Sequence, residues 1–363
     1  MSGNNKKPFN ENRSEQFAVK ILAVLNNGAL SLMISVGHRT GLFDTMSGLP
    51  PSTSHEIAEA AGLNERYVRE WLGAMTTGEI VEHDHENNTF SIPDEYSVWL
   101  TRAAAPNNMA VTSQWISLLG SVESKIVECF HKGGGVPYEA YERFHEVMSE
   151  ESHQTVIVPL IDDLLPLVPG IREKLETGIE VLDVGCGSGY AMAEMAKEFP
   201  NSHFTGYDLS PEAIERGKER AKELGLKNIN LEAKNVAEFN DEKKFDLVMT
   251  FDAIHDQADP ACVLSNIERA LKDDGVYFMQ DIAGSSHVHN NMDHPVGTLL
   301  YTTSCMHCMS VSLAQEGKGL GAMWGKEIAS EMLREAGFGE IEIKELPHDP
   351  INYYYISRKY QRA

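Results

Sequence analysis

The sharpest alternation of apolar and polar positions lies in the second half of the chain. Glu180-Val181-Leu182-Asp183-Val184 is a short β-branched run that reads as a buried strand, and it ends in glycines at alternate positions, Gly185, Gly187 and Gly189. Ala191 to Phe199 then places Met192, Met195 and Ala196 at helical spacing. His203 to Asp208 reads as a second strand, and Pro211 to Leu224 as a charged helix with Ser210 as its N-cap. Ile229 to Ala233 and Phe245 to Phe251 are strands three and four. A helix (Ala261 to Leu271), a turn at Asp273-Asp274-Gly275 and a strand (Val276 to Asp281) follow. Lys326 to Ala336 is a helix closed by Gly337, and Ile341–Ile343 and Asn352–Ile356 are the last two strands. Strands alternating with helices in this way predict an α/β sheet domain.

The first half has a helical period instead. Phe17 to Gly37 reads as one long helix whose wide apolar face suits an interface. Ser54 to Leu63 is a capped short helix with a glycine turn, and Asn64 to Leu72 a second helix. Gly78–His83 and Thr89–Ile92, separated by the polar Asp84–Asn88, form a hairpin, so the segment reads as a helix-turn-helix with a wing. Ala103–Gly120 and Glu139–Leu167 are connecting helices either side of the break Gly133-Gly134-Gly135-Val136-Pro137. The predicted boundaries are a polar, disordered tail at 1–15, a winged-helix domain at 16–100, connecting helices at 101–170 and the α/β domain at 171–363.

A strand that enters a helix through glycines lets the backbone approach a ligand, because no Cβ intervenes. Asp208 stands nineteen residues after Gly189, at the end of the second strand, where a carboxylate can accept from both ribose hydroxyls. The spacing GxGxG, in place of GxGxxG, and the acidic Asp183 before it separate this turn from an ordinary dinucleotide fold.

From Glu180 to the C-terminus these motifs resemble class I S-adenosylmethionine-dependent methyltransferases, whose first motif is an acidic residue followed by GxGxG. The resemblance implies a seven-stranded Rossmann-like sheet and S-adenosylmethionine as cofactor. It implies a cofactor site made from Asp183, Gly185, Gly187, Gly189, Asp208, Leu209, Asn235, Val236 and Phe251. Asn235 stands where the family usually has an acid that accepts from the adenine amino group; an amide carbonyl can also accept.

The segment Asp252-Ala253-Ile254-His255-Asp256 follows the fourth strand, and the whole chain resembles the winged-helix small-molecule O-methyltransferases, which carry a His-Asp pair here. By that resemblance His255 is the general base for the acceptor hydroxyl and Asp281 orients it. The loop is shorter than the family's and lacks its tryptophan. An imidazole of near-neutral pKa suits the task, although a structural His255 with catalysis by alignment alone is the competing reading. In that family the N-terminal domain pairs subunits, whereas a winged helix elsewhere reads DNA. Arg66 and Arg69 are interleaved with Glu65 and Glu70, which offers phosphates no positive face and favours a homodimer.

Composition narrows the classes further. A formal net charge of −23 argues against nonspecific DNA binding and anionic membranes. No uninterrupted apolar run reaches membrane length, and the polar N-terminus has no signal-peptide core. Five cysteines, an odd number, read as cytoplasmic thiols. The long stretch 283–325 is a lid carrying Cys305 and Cys308 among histidines and methionines. It reads either as a soft-ligand site or as an adaptable sulfur-rich wall, and the single CxxC favours the wall, with no metal site. The expected function is methyl transfer to a small molecule, with hydroxyl favoured over nitrogen or sulfur. A transcriptional regulator using the cofactor fold as a sensor is the contrasting expectation.

Overall fold

Helix α1 runs Glu11–Thr40. The Asn10 side chain accepts from the Arg13 amide at 3.0 Å, and Gly41, at φ 73°, ends the helix. It therefore starts inside the stretch expected to be a disordered tail: Glu11 to Glu15 form its first turns, stabilised by that cap. The computed structural model describes residues 9–347 and 349–360, so Met1–Pro8 of the expected tail lie outside the described residues. Phe17, Val19, Leu22 and Leu25 on α1 are each 62–67% exposed. By length and composition alone this helix is apolar enough to cross a membrane. Polar residues interrupt the run, as expected from the sequence, without lowering its average.

The chain divides into two compact units after Ser117. In the first, α2 (Leu42–Ser47), α3 (Ser54–Ala61) and α4 (Glu65–Thr77) are followed by the hairpin of β1 (Glu82–Asp84) and β2 (Thr89–Ser91), then α5 (Asp94–Leu100) and α6 (Met109–Thr112). Phe43, Ile57, Val68, Trp71, Leu72 and Met75 form its core. Thr53 and Glu56 make a reciprocal capping box at the start of α3. On α4, Arg66 pairs with Glu70 and Arg69 with Glu65, so both arginines are neutralised on their own helix.

Helix α7 (Gln114–Gly120) crosses the division; α8 (Glu123–Lys132) and α9 (Phe144–Ser152) follow. The single helix expected across Glu139–Leu167 is broken. After α9 the ladder widens to bonds five residues apart, Val158 to His153 and Leu164 to Pro159, around a proline that has no amide hydrogen to donate. Gly135 is tightly placed: an added Cβ would stand 1.8 Å from the Ser310 carbonyl oxygen.

Helix α10 (Ile171–Thr177) leads into the sheet, whose strands are β3 (Glu180–Val184), β4 (His203–Asp208), β5 (Ile229–Ala233), β6 (Phe245–Phe251), β7 (Leu271–Ile282), β8 (Phe338–Leu346) and β9 (Asp349–Lys359). Their order is β5-β4-β3-β6-β7-β9-β8. The first five are parallel, and β9 runs antiparallel between β7 and β8. This is the predicted seven-stranded α/β sheet. Helices α11 (Tyr190–Glu198), α12 (Pro211–Glu223), α13 (Pro260–Ala270) and α16 (Gly325–Ala336) cover it, with α14 (Gly297–Thr303) and α15 (Met309–Ala314) in the 283–325 segment.

Successive residues of each central strand face opposite cores, which is why the runs read as continuously apolar. Val181, Phe204, Met249 and Phe278 pack with Leu164, Met192 and Met195 on one side. Leu182, Val248, Tyr277 and Met279 pack with Val263, Ile267 and Leu333 on the other. The expected Asp273-Asp274-Gly275 turn is a bulge: Phe245 pairs with Leu271 but Leu247 with Val276. Strand β8 is longer than predicted because it is an edge whose glutamates face water, hiding its period.

Candidate active site

The carboxyl ends of β3, β4, β6 and β7 carry the candidate residues, as an open parallel sheet requires of a ligand site. Gly185, Gly187 and Gly189 have φ of 81°, 53° and 64°, a region side chains resist. A Cβ at Gly185 would lie 2.8 Å from that of Ala253, and one at Gly189 2.9 Å from Leu231, whereas nothing stands within 4 Å of the Gly187 position. Packing therefore explains two of the glycines, and Gly187 borders open space.

Asp208 ties the turn together. Its Oδ2 accepts the Gly187 amide at 2.8 Å and its Oδ1 the Ser210 amide at 2.9 Å. Each carboxylate oxygen keeps a lone pair for a further donor. Leu209 beside it is 62% exposed. Asp183 is buried beneath, one oxygen without a partner, and burial followed by the Asp208 charge raises its pKa to about 8. Asn235 is exposed, and its carbonyl oxygen already accepts the Ala237 amide at 3.1 Å while its amide donates to Glu238. Val236 is buried in the core; Phe251 is half-buried against Phe278.

A second cluster gathers around His255, 3% exposed and just beyond β6. Its Nδ1 lies 2.7 Å from Asp281 Oδ1, the contact anticipated between the two. Nε2 faces Asp256 Oδ1 at 3.3 Å, a distance of ion pairing without hydrogen-bond alignment, so that oxygen has no hydrogen bond. Burial disfavours a charged imidazole, but Asp281 and then Asp256 outweigh it and hold the His255 pKa well above its ordinary value.

Tyr138, Tyr141, Phe144 and His145 stand out in the sequence as candidate pocket lining, but the contacts that gather this cluster do not. Tyr138 donates its hydroxyl to Asp256 Oδ2 at 3.1 Å across 118 residues of chain, and the Trp324 indole donates to Asp281 Oδ1 at 2.9 Å. His307 stacks on Phe144, ring centroids 4.3 Å apart, and meets Tyr138 and Tyr141 edge-on. Burial lowers its pKa to about 4 and so keeps it neutral. Tyr138, Tyr141 and Phe144, the last opening α9, thus form a cage for His307, with the exposed His145 at its outer edge. A π-turn at Ser304–Cys308 carries His307 and Cys308, and burial pushes the Cys308 thiol up to about 12. Cys305 and Cys308 do not act as a pair: Cys308 joins His255 and Asp256, their candidate ligand atoms all within 4.8 Å of one another. Asp252 was also missed. It has φ 50°, a conformation costly without glycine, and its buried Oδ1 has no partner. The signal available was its place, the first residue after a central strand.

Residues 28–102 match the Rv2258c-like winged HTH domain, and residues 175–337 match a methyltransferase domain. The chain thus carries a winged HTH domain followed by a methyltransferase domain, and the sheet order and glycine turn lie within the second. It is 26% identical to (S)-coclaurine N-methyltransferase of Papaver somniferum over 146 residues, 37% of this chain and 42% of that one. It is 30% identical to the ubiquinone biosynthesis O-methyltransferase of Pasteurella multocida over 117 residues, 29% of this chain and 47% of that one. The chain thus spans less than half the length of these curated relatives. Among solved structures, human N-acetylserotonin methyltransferase superposes with TM-score 0.69 at 16% identity, covering 99% of both chains. Mitomycin 7-O-methyltransferase superposes with TM-score 0.69 at 16% identity, covering 96% of this chain and 100% of that one. Those two likenesses are of fold.

Proposed function

We propose that the chain transfers a methyl group from S-adenosylmethionine to a hydroxyl on a small molecule, with His255 as the general base. The observation that carries this is the 2.7 Å contact of Asp281 with His255 Nδ1, which fixes the ring and assigns proton uptake to Nε2.

The residues present fit the cofactor. A bare backbone cradle at Gly187, free lone pairs on Asp208 and an exposed apolar Leu209 suit a ribose and a flat base. The Asn235 carbonyl is partly committed to its own turn, so it contributes least. Bound S-adenosylmethionine supplies a methyl group on a sulfonium, already activated for displacement. What remains for the protein is to align the acceptor, exclude water and take its proton. His255 must be neutral to do so, and its two carboxylate neighbours oppose that. Its base form is therefore reached at a pH above the ordinary imidazole range. Proton removal at Nε2 contributes about 10²–10⁴-fold.

An amine acceptor is the second reading. The Asp256 oxygen that accepts no hydrogen bond would attract a cation, and several curated relatives bear N-methyltransferase names. Labelled-methyl assays against phenols, amines and thiols, repeated with His255→Ala, decide between them. A loss of two or more orders of magnitude confined to hydroxyl acceptors supports the base; unchanged turnover removes it.

The winged helix, on this account, joins two copies through the exposed apolar face of α1, since the α4 arginines are already paired with glutamates. All five cysteines are free thiols, in keeping with a cytoplasmic setting.

A further inference from the structure

We infer that His255 Nε2, Asp256 and Cys308 Sγ form a binding site for a thiophilic divalent cation, with Zn²⁺ the ion whose ligand preferences they match. A histidine, a carboxylate and a thiol are three of the donor types zinc takes, and three protein ligands with a fourth position open is the pattern of an exchangeable site. The three ligand atoms lie within 4.8 Å of one another. Zinc–ligand bond lengths put neighbouring donors of a tetrahedral ion roughly 3.3–3.7 Å apart. His255 Nε2 and Asp256 Oδ1, at 3.3 Å, already have that spacing, and the Cys308 sulfur lies within 4.8 Å of the imidazole and carboxylate ligand atoms.

The surroundings support the same assignment independently. A metal-bound histidine donates its other ring N–H to a carboxylate, and ligating carboxylates are themselves hydrogen-bonded. Here Asp281 takes His255 Nδ1 at 2.7 Å, which leaves the Nε2 lone pair for the ion. Tyr138 holds Asp256 Oδ2 at 3.1 Å, which leaves Oδ1 without a hydrogen bond and beside Nε2. The π-turn at Ser304–Cys308 is the local device that sets Cys308 against the pair. On binding, the Cys308 thiol and the protonated His255 ring each release a proton to solvent, the sulfur coordinating as thiolate and Nε2 through its freed lone pair.

Occupancy takes the lone pair that would accept the substrate proton. Zn²⁺ therefore acts as a reversible brake on transfer; this consequence rests on His255 being the base, whereas the site itself does not.

The test uses chelator-treated full-length protein with Co²⁺ as a spectroscopic probe and Zn²⁺ for affinity. The expected result is one ion per chain, with a thiolate-to-cobalt charge-transfer band. Cys308→Ser should abolish the band and weaken Zn²⁺ binding at least about 100-fold, and Asp281→Asn should keep the band with affinity lowered about 10–100-fold. Cys305→Ala should leave both intact. X-ray absorption at the zinc edge of the unsubstituted protein needs no variant, and should find one sulfur at about 2.3 Å with lighter donors at about 2.0–2.2 Å. A zinc shell without sulfur, a band that survives Cys308→Ser, or no binding at millimolar ion overturns the site. Binding as described with transfer unaffected leaves the site standing and removes His255 as base.

Discussion

Asp281 Oδ1 lies 2.7 Å from His255 Nδ1, and the same oxygen accepts the Trp324 indole at 2.9 Å and the Ile282 amide at 2.8 Å. The carboxylate cannot swing away from the imidazole without losing two other bonds. The β7 backbone and a side chain 43 residues later thereby fix the orientation of a ring that belongs to the loop after β6. Such support holds a side chain in a single orientation.

The two carboxylates around His255 give the account a pH signature. Both stabilise the protonated ring, so kcat/KM should rise with pH through an apparent pKa above the unperturbed value of about 6.5. Asp256→Asn removes one negative charge, which lowers that pKa and moves the acid limb toward lower pH. A pH–rate profile of both proteins checks this, and an unmoved limb would assign the titration to another group.

Gly187 separates the fold from the cofactor cradle. Gly187→Ala meets no neighbour, so it should cost only about 1–2 kcal/mol for its positive φ. The added methyl would nonetheless stand in the open space outside the turn whose amide Asp208 accepts. Affinity for S-adenosylmethionine should fall at least tenfold while the melting temperature drops by a few degrees. Equal affinity would mean that the cofactor does not approach this backbone.

Much of this was legible because it is local. The runs Val181–Val184 and Phe245–Phe251 announce buried strands, the alternate glycines announce a turn, and Ser210 announces the helix it caps with a 3.2 Å bond to Ala213. Asp208 and the His255–Asp281 pair were reachable through motif order. What stayed hidden is made by tertiary contact. Tyr138 and Asp256 are 118 residues apart, and nothing in the spacing of Cys305 and Cys308 says that a π-turn delivers only the second to His255. The glycines at 133–135 read as a flexible or sharply turning break, but nothing in them says that Gly135 passes close over the Ser310 backbone.

Asp183 should reveal itself in stability. Its folded-state pKa of about 8 lies above that of an unfolded aspartate, so the folded state holds the proton longer. Stability contributed by this group declines from about pH 4 to about pH 8 and levels off beyond. Asp183→Asn does not titrate, so its melting temperature relative to the parent should climb across that window. A difference independent of pH would show that the carboxyl is not held neutral.

Helix α1 offers a test of assembly. Leu22 and Leu25 are more than 60% exposed, so Leu22→Glu with Leu25→Glu should leave the fold nearly as stable. Light scattering should find a dimer for the parent and a monomer for the double variant. A parent that stays monomeric but floats with lipid vesicles would assign the helix to a membrane surface instead.

Calorimetric titration of the pure protein with S-adenosylmethionine tests the central claim most directly. One site per chain is expected, with binding lost or weakened by at least an order of magnitude in Asp208→Ala. No heat from the parent, or equal affinity in that variant, would contradict it.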